Sequence, residues 1–297
     1  MANESNELKI GFIGAGKVAL ALGSSLRNIG YTISSISSRS YQSALSVASQ
    51  ISGCTAVKTA DEVVHDCNLV FITTPDAAIG RVCESVSWRP GQMAAHTSGA
   101  DSRSVLDSAS SQGALTGVFH PLATVSPNGG ALEPFCGITI TIEAEPPLLE
   151  TLEGLARSLG ADTLRLHEEN RSLYHASAVF VSNYVMALAD IATGLWQEMG
   201  FEKQQAEKAL LPLLKGSVHN LDTVGLPACL TGPVSRGDTG TIKKHLDSLE
   251  KLDDSLSITY RALGLHTINI ARRKGSITPK QAEDITSILN TWERSYD

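Results

Sequence analysis

The sequence predicts an α/β fold with a doubly wound, mostly parallel sheet, followed by an all-α C-terminal domain. Three observations predict it. Short apolar runs alternate with helically spaced segments as far as residue 167, a glycine-broken turn joins the first run to the first helix, and no strand-like run follows His167. With 297 residues, and about 100 to 200 residues per domain, the chain divides into 1–167 and 168–297.

Residues 8–13 (LKIGFI) form a β-branched run, and Val18, Leu22 and Leu26 space a helix over 17–29. Tyr31–Ser37 reads as the second strand, Ser40–Ser49 as a helix, and Thr55–Lys58 and Leu69–Thr73 as strands. A helix near Ala77–Val86, a strand at Met93–His96, a helix near Ser102–Ser110 and a strand at Leu115–His120 bring the total to six strands, enough for a doubly wound sheet. Ile138–Ile142 adds another. Pro146-Pro147 opens a helix striped by Leu148, Leu152, Leu155 and Leu159, and Thr163–Leu166 is a candidate edge strand. Helices are expected at 168–199, 202–215, 217–223, 239–251, 254–273 and 279–295, punctuated by Gly200, Gly216, Gly275 and Pro279.

A net charge of −7 with scattered basic residues argues against nucleic-acid binding, and Arg272-Arg273-Lys274 reads as a solvated helix end. The polar start MANESNELK lacks an apolar leader core, and the apolar stretch at Val179–Ile191 is too short to cross a bilayer. A cytoplasmic protein without membrane contact is therefore expected. Five cysteines without a CxxC pair suit reduced thiols, all assigned to packing. Eight histidines occur without metal-ligand spacing, so no metal is expected, and GxSxG is absent. The long apolar helices lead us to expect a homodimer through the C-terminal domain.

Gly14-Ala15-Gly16-Lys17-Val18-Ala19 is a GxGxxA turn between the first strand and helix, the fingerprint of a Rossmann dinucleotide-binding domain. Gly14 makes the tight turn, Gly16 lets backbone approach a pyrophosphate, and Lys17 and Val18 begin a helix whose free N–H groups suit phosphate. The second strand ends in Ser37-Ser38-Arg39-Ser40 with no acidic ribose ligand, so Ser38, Arg39 and Ser40 are expected to favour NADP(H) over NAD(H). Ser40 also suits a helix cap. Thr74 and Pro75 are expected beside the cofactor, with Asp76 as an N-cap, and Thr97 and Ser98 follow the fifth strand.

His96 and His120 end the fifth and sixth strands, at the edge where open sheets bind ligands. On a single long helix, Arg171, His175 and Asn183 would share one sector, with Leu173, Val179, Phe180 and Val185 packing. His175 is the first choice for proton transfer, His120 the second and His96 the third, with Asn183 orienting a substrate oxygen. Arg171, Tyr174, Thr231 and Arg236 are candidate substrate contacts, although Arg236 and Asp238 can also pair in a hinge before the helix carrying His245.

The segments GFIGAGKVALALG, SSRS, ITTPDAAI, HTSGA, GVFHPLATV, RSLYHASAVFVSNY, LLPLLKG and LTGPVSRGD resemble, over nearly the whole chain, a bacterial family of predicted oxidoreductases. That family joins a Rossmann-like domain to a helical domain of unknown function. More broadly the sequence is similar to the 6-phosphogluconate dehydrogenase-like superfamily, including pyrroline-5-carboxylate reductase and deazaflavin-dependent NADP oxidoreductases, and His120-Pro121 resembles the HP step of prephenate dehydrogenases. The chain departs where that superfamily places a lysine and an asparagine one turn apart, offering His175 and Asn183. The resemblance implies an NADP(H)-dependent enzyme moving a hydride to or from a small carbonyl, imine or alcohol bound between the domains. Non-catalytic NADP(H) sensing and a ketopantoate- or pyrroline-5-carboxylate-type reductase are the alternatives.

Overall fold

The computed structural model describes residues 8–124 and 135–291, arranged in two compact units, Met1–Tyr184 and Val185–Asp297. The first unit opens with β1 (Lys9–Ile13), α1 (Lys17–Asn28), β2 (Thr32–Ser37), α2 (Tyr41–Ala48), β3 (Thr55–Ala56), α3 (Ala60–Asp66) and β4 (Leu69–Ile72). It continues with α4 (Ile79–Glu84), β5 (Met93–His96), α5 (Asp107–Ser111), β6 (Leu115–Pro121), β7 (Thr139–Ala144), α6 (Leu148–Ser158), β8 (Asp162–Arg165) and α7 (Arg171–Val181). The eight strands lie in the order β3-β2-β1-β4-β5-β6-β7-β8. The first six are parallel in the doubly wound order, and β7 enters antiparallel to β6, with Phe119 opposite Ile142.

The central strands are apolar on both sides because helices cover both faces of a parallel sheet. Ile10, Phe12, Leu69, Val70, Phe71 and Ile72 are all fully buried, and Phe71 lies between Phe12 and Phe119 at ring separations of 5.6 and 5.5 Å. α1 turns Ala19, Leu22, Gly23 and Leu26 inward, the i, i+3, i+4, i+7 spacing of one helix face.

Several local expectations need correction. α3 was not anticipated, although Thr59 and Glu62 cap it reciprocally as a capping box. Asp76 does not cap the helix after β4: it opens a 3₁₀ turn, Asp76–Ala78, that no side chain caps. The proposed single helix 168–199 is interrupted at Ser182, leaving α7 and then α8 (Asn183–Glu198). With the 3₁₀ turn before α7 the run Glu168–Glu198 counts 31 residues and holds an 18-residue window of mean hydropathy 1.5, long and apolar enough by length and composition to cross a membrane, beyond the shorter core at Val179–Ile191. Its N-terminal turns are committed elsewhere, because Arg171 is buried in an ion pair with Glu143 of β7. That anchorage places α7 with the sheet, and the two units divide after Tyr184 rather than after His167.

The second unit continues from α8 through α9 (Lys203–Val224), α10 (Pro233–Arg236), α11 (Thr239–Glu250), α12 (Asp254–Lys274) and α13 (Pro279–Asn290). α9 absorbs Gly216, where two helices were expected, and carries Pro212 inside. Val234, Ile242, Leu246, Ile268, Ala271, Ile285 and Leu289 form its core on α10–α13. All five cysteines are free, and Cys136 is exposed rather than packed. Among the described residues no His, Cys, Asp and Glu cluster suits a metal.

Candidate active site

Gly14 takes φ +111° after β1, and a Cβ there would sit 2.7 Å from the backbone carbon of Thr73, so only glycine makes this turn. Gly16 is different: its φ of −93° suits any residue, and a Cβ would meet nothing within 4 Å. It is spare room at the start of a 12-residue helix whose first turn no side chain caps. The free N–H groups and positive dipole end of α1 are what a pyrophosphate needs.

Gly14, Gly16, Ser38, Arg39, Ser40, Thr74 and Pro75 line one groove of about 670 Å³, as the sequence suggested. Lys58 and Arg81, missed from sequence, line it too, bringing its cations to three with Arg39. Lys58 was not legible because it sits beyond β3, and a parallel crossover brings that end beside β2. Lys17 and Val18 begin α1 without lining the groove. Ser40 also caps α2 by accepting from the Ser43 N–H at 3.3 Å, so the capping role holds as well. Thr74 Oγ1 is buried without a hydrogen-bond partner among the described residues, a polar atom left for a ligand in that groove. A dinucleotide fits this set of cations, hydroxyls and free N–H groups.

A second cluster forms at the ends of β5 and β6, under α7. His120 Nδ1 lies 2.7 Å from the Tyr174 hydroxyl, and a Cβ on the buried Gly99 would meet His120 Nε2 at 2.8 Å and His175 Cδ2 at 3.0 Å. His120 and His175 thus both lie against the side of Gly99 where a side chain would stand. Burial, and then the Arg171 charge, lower the His120 pKa to about 4, which leaves a neutral imidazole at pH 7.

Other candidates resolve differently. His96 is fully buried: its Nδ1 accepts from the Ser98 N–H at 3.2 Å, so its Nε2 donates to the Ser102 carbonyl at 3.0 Å. With both nitrogens engaged and a pKa lowered to about 4, chiefly by burial, it has no proton role and holds the turn after β5. The Ser98 hydroxyl accepts from the Ala100 and Asp101 N–H groups in the same turn; neither it nor Thr97 lines the groove.

Arg171 is 2% exposed and anchors α7, with Nε 2.9 Å from Glu143 and Nη1 donating to the Ser98 carbonyl at 3.4 Å, while its buried Nη2 has no hydrogen-bond partner among the described residues. Asn183 is exposed at the start of α8, beyond the Ser182 break, and accepts from the Ser182 hydroxyl. Leu173 and Phe180 are exposed, not packed. In the second unit, Thr231 and Arg236 are exposed beside α10, and Asp238 caps α11 through the Thr241 N–H at 3.0 Å; His245 pairs with Tyr260. Glu143 and Gly99 were unforeseen: a lone carboxylate in TITIEA and a glycine in HTSGA are partnered only by the fold.

Residues 2–121 match the model of a Rossmann-like domain, and residues 138–267 match a domain of unknown function (DUF2520). The chain belongs to the proteins that join these two domains. No curated protein matches it. Among solved structures it is similar to a Bacteroides fragilis protein described as a candidate NADP oxidoreductase, with a TM-score of 0.74, 24% identity and coverage of 89% of this chain and 98% of that one. A Thermotoga maritima protein gives 0.72 and 24%, covering 90% and 99%. A pyrroline-5-carboxylate reductase from Streptococcus pyogenes gives 0.62 and 18%, covering 91% and 100%. These likenesses establish the fold.

Proposed function

We propose that the chain is an NADP(H)-dependent oxidoreductase of the cytoplasm, acting as a homodimer on a small carbonyl, imine or alcohol. One observation carries this reading: the groove that begins at the uncapped start of α1 also holds Arg39, Lys58 and Arg81 and an orphaned Thr74 hydroxyl. The first feature suits a pyrophosphate and the cations suit a 2′-phosphate. Among the described residues no carboxylate pairs with Arg39, whose fork is free for that phosphate. The candidate NADP oxidoreductase and the pyrroline-5-carboxylate reductase among its structural neighbours support the reaction class. Five free cysteines suit a reducing compartment.

Bound NADP(H) supplies or accepts the hydride. In the reducing direction the substrate carbon gains hydride, the C=O or C=N pair moves to the heteroatom, and that atom takes a proton. His175, half-buried beside Gly99 and without a ring hydrogen bond among the described residues, is the proton donor in this reading. Gly14 and Gly16 hold the pyrophosphate, and Ser38, Ser40 and Arg39 the ribose phosphate.

Titration calorimetry tests the assignment. NADPH should bind more tightly than NADH by about 1 to 3 kcal/mol, the worth of a charge-assisted contact, and Arg39→Ala should remove most of that difference. Equal affinity for the two nucleotides would contradict it. Tight NADPH binding with no turnover on keto acids, cyclic imines or aldehydes would instead favour a sensor.

A further inference from the structure

We propose that the neutral His120 imidazole presents its Nε2–H, beside Gly99, as the hydrogen-bond donor for the carbonyl oxygen or imine nitrogen of the substrate, and that Tyr174 is the positioning residue that fixes this tautomer. The inference deepens the oxidoreductase reading above and rests on it for the identity of the ligand.

The argument begins with hydrogens. The Tyr174 oxygen stands 2.7 Å from His120 Nδ1 and 3.4 Å from the buried Thr141 hydroxyl, whose one hydrogen also has the His120 carbonyl in reach at 3.5 Å; with the Thr141 hydrogen given to Tyr174, the Tyr174 hydrogen goes to His120 Nδ1, the arrangement proposed. Burial raises the Tyr174 pKa, so the phenol keeps its proton and remains a donor. A neutral imidazole that accepts at Nδ1 carries its hydrogen on Nε2. The rings of His120 and Tyr174 meet edge to face, at 88° and 5.7 Å between centroids, which holds the imidazole plane.

Nε2 makes no hydrogen bond to any described residue. It points past Gly99, whose missing Cβ would otherwise lie 2.8 Å from it. Gly99 does not have a positive φ, so its glycine character is needed for space and not for the backbone. The charged or titratable groups acting on His120 are Arg171, His175 and His96, and each disfavours a second proton on the ring. A neutral imidazole N–H can polarise a carbonyl without transferring its proton, which leaves proton delivery to His175. The pairing divides the work: His120 stabilises charge developing on the heteroatom, and His175 supplies the proton.

The test reads the tautomer itself, by long-range ¹H–¹⁵N correlation NMR on ¹⁵N-histidine-labelled protein at pH 7, with His120→Gln assigning the resonance. The expected result is a neutral Nε2–H imidazole in the wild type, converting to a mixture with Nδ1–H in Tyr174→Phe. An Nδ1–H tautomer or an imidazolium in the wild type overturns the proposal, and so does a Tyr174→Phe spectrum identical to the wild type. Because the wild-type measurement needs neither substrate nor variant, a poorly folded Tyr174→Phe leaves it decisive. Failure of the oxidoreductase reading would appear separately, as absent NADPH binding with the tautomer unchanged. Once a substrate is found, His120→Gln should lower kcat by about 10²- to 10³-fold, the usual loss for one such donor. Gly99→Ala should lower kcat/KM while NADPH affinity holds.

Discussion

His96 and His120 are both held neutral by burial, with Arg171 adding to the effect, and this fixes a direction for stability. Each native pKa, about 4, lies below the reference value of 6.5, so between those values the unfolded chain binds more protons. The stabilisation is complete above about pH 6.5 and is lost as the pH falls toward 4. For the fully buried His96 the difference is worth on the order of 3 kcal/mol at about 1.4 kcal/mol per tenfold. Urea melts at pH 7 and pH 4.5 should therefore differ, and His96→Gln should flatten the difference; equal midpoints in the wild type would refute this account. His175 belongs to the chemistry. His175→Ala should leave NADPH affinity unchanged and lower turnover by about 10²- to 10⁴-fold, and wild-type turnover in that variant would remove its role. His120 was legible in sequence because strand ends are where such sheets bind ligands, and His175 because it is a polar group on an apolar helix. Glu143, Thr141 and Gly99 were not: each acquires its meaning from a contact across the sheet or with α7 that no local pattern encodes.

Elements with a strong period were legible, and those defined by a break were not. α1 and the turn before it follow from apolar spacing and glycine placement, so Gly16→Val makes a sharp test: its side chain has room in the free protein and collides only with a bound pyrophosphate. The expected outcome is an unchanged melting curve with NADPH binding lost, and normal binding would overturn the loop assignment. α7 is harder to read because nothing in an apolar run marks Ser182 as a stop, and Arg171 on an apolar helix invites a ligand until β7 supplies Glu143. That ion pair is buried on both sides, so removing one partner strands the other. Arg171→Met should cost about 3 to 5 kcal/mol in denaturant melts, and Arg171→Met with Glu143→Gln should recover part of it. A loss below 1 kcal/mol in the single variant would mean that α7 is not anchored there.

At the scale of the whole molecule, the helical unit leaves α8 and α9 largely without partners within it, although its core on α10–α13 is well formed. Of the 16 residues of α8 only Thr193 is buried, and of the 22 of α9 only Ala206. Helices owe most of their stability to packing of a face, and a second copy of the chain, as proposed, would give these two one. From Met186 to Leu226, side chains such as Met186, Leu213, Val218 and Val224 are exposed by 58 to 69%. Together with Leu188, Met199, Phe201, Leu211, Leu221 and Leu226 they offer on the order of 600 Å² of apolar surface, taking about 100 Å² for a whole side chain. At the usual apolar share of about 60%, the proposed homodimer would bury about 1,000 Å² per copy if it covered all of these side chains, the size of a stable pair. Charges of both signs on α9, Lys203, Glu207, Lys208, Lys215 and Asp222, suit a self-complementary face of a second copy better than a bilayer core. Sedimentation should give a particle of twice the 31.5 kDa chain at micromolar concentration. Leu213→Asp combined with Leu221→Asp should yield monomers with reduced helix content and intact NADPH binding, since neither residue lines the dinucleotide groove. A wild-type monomer, or flotation of the protein with phospholipid vesicles in place of dimerisation, would overturn the pairing.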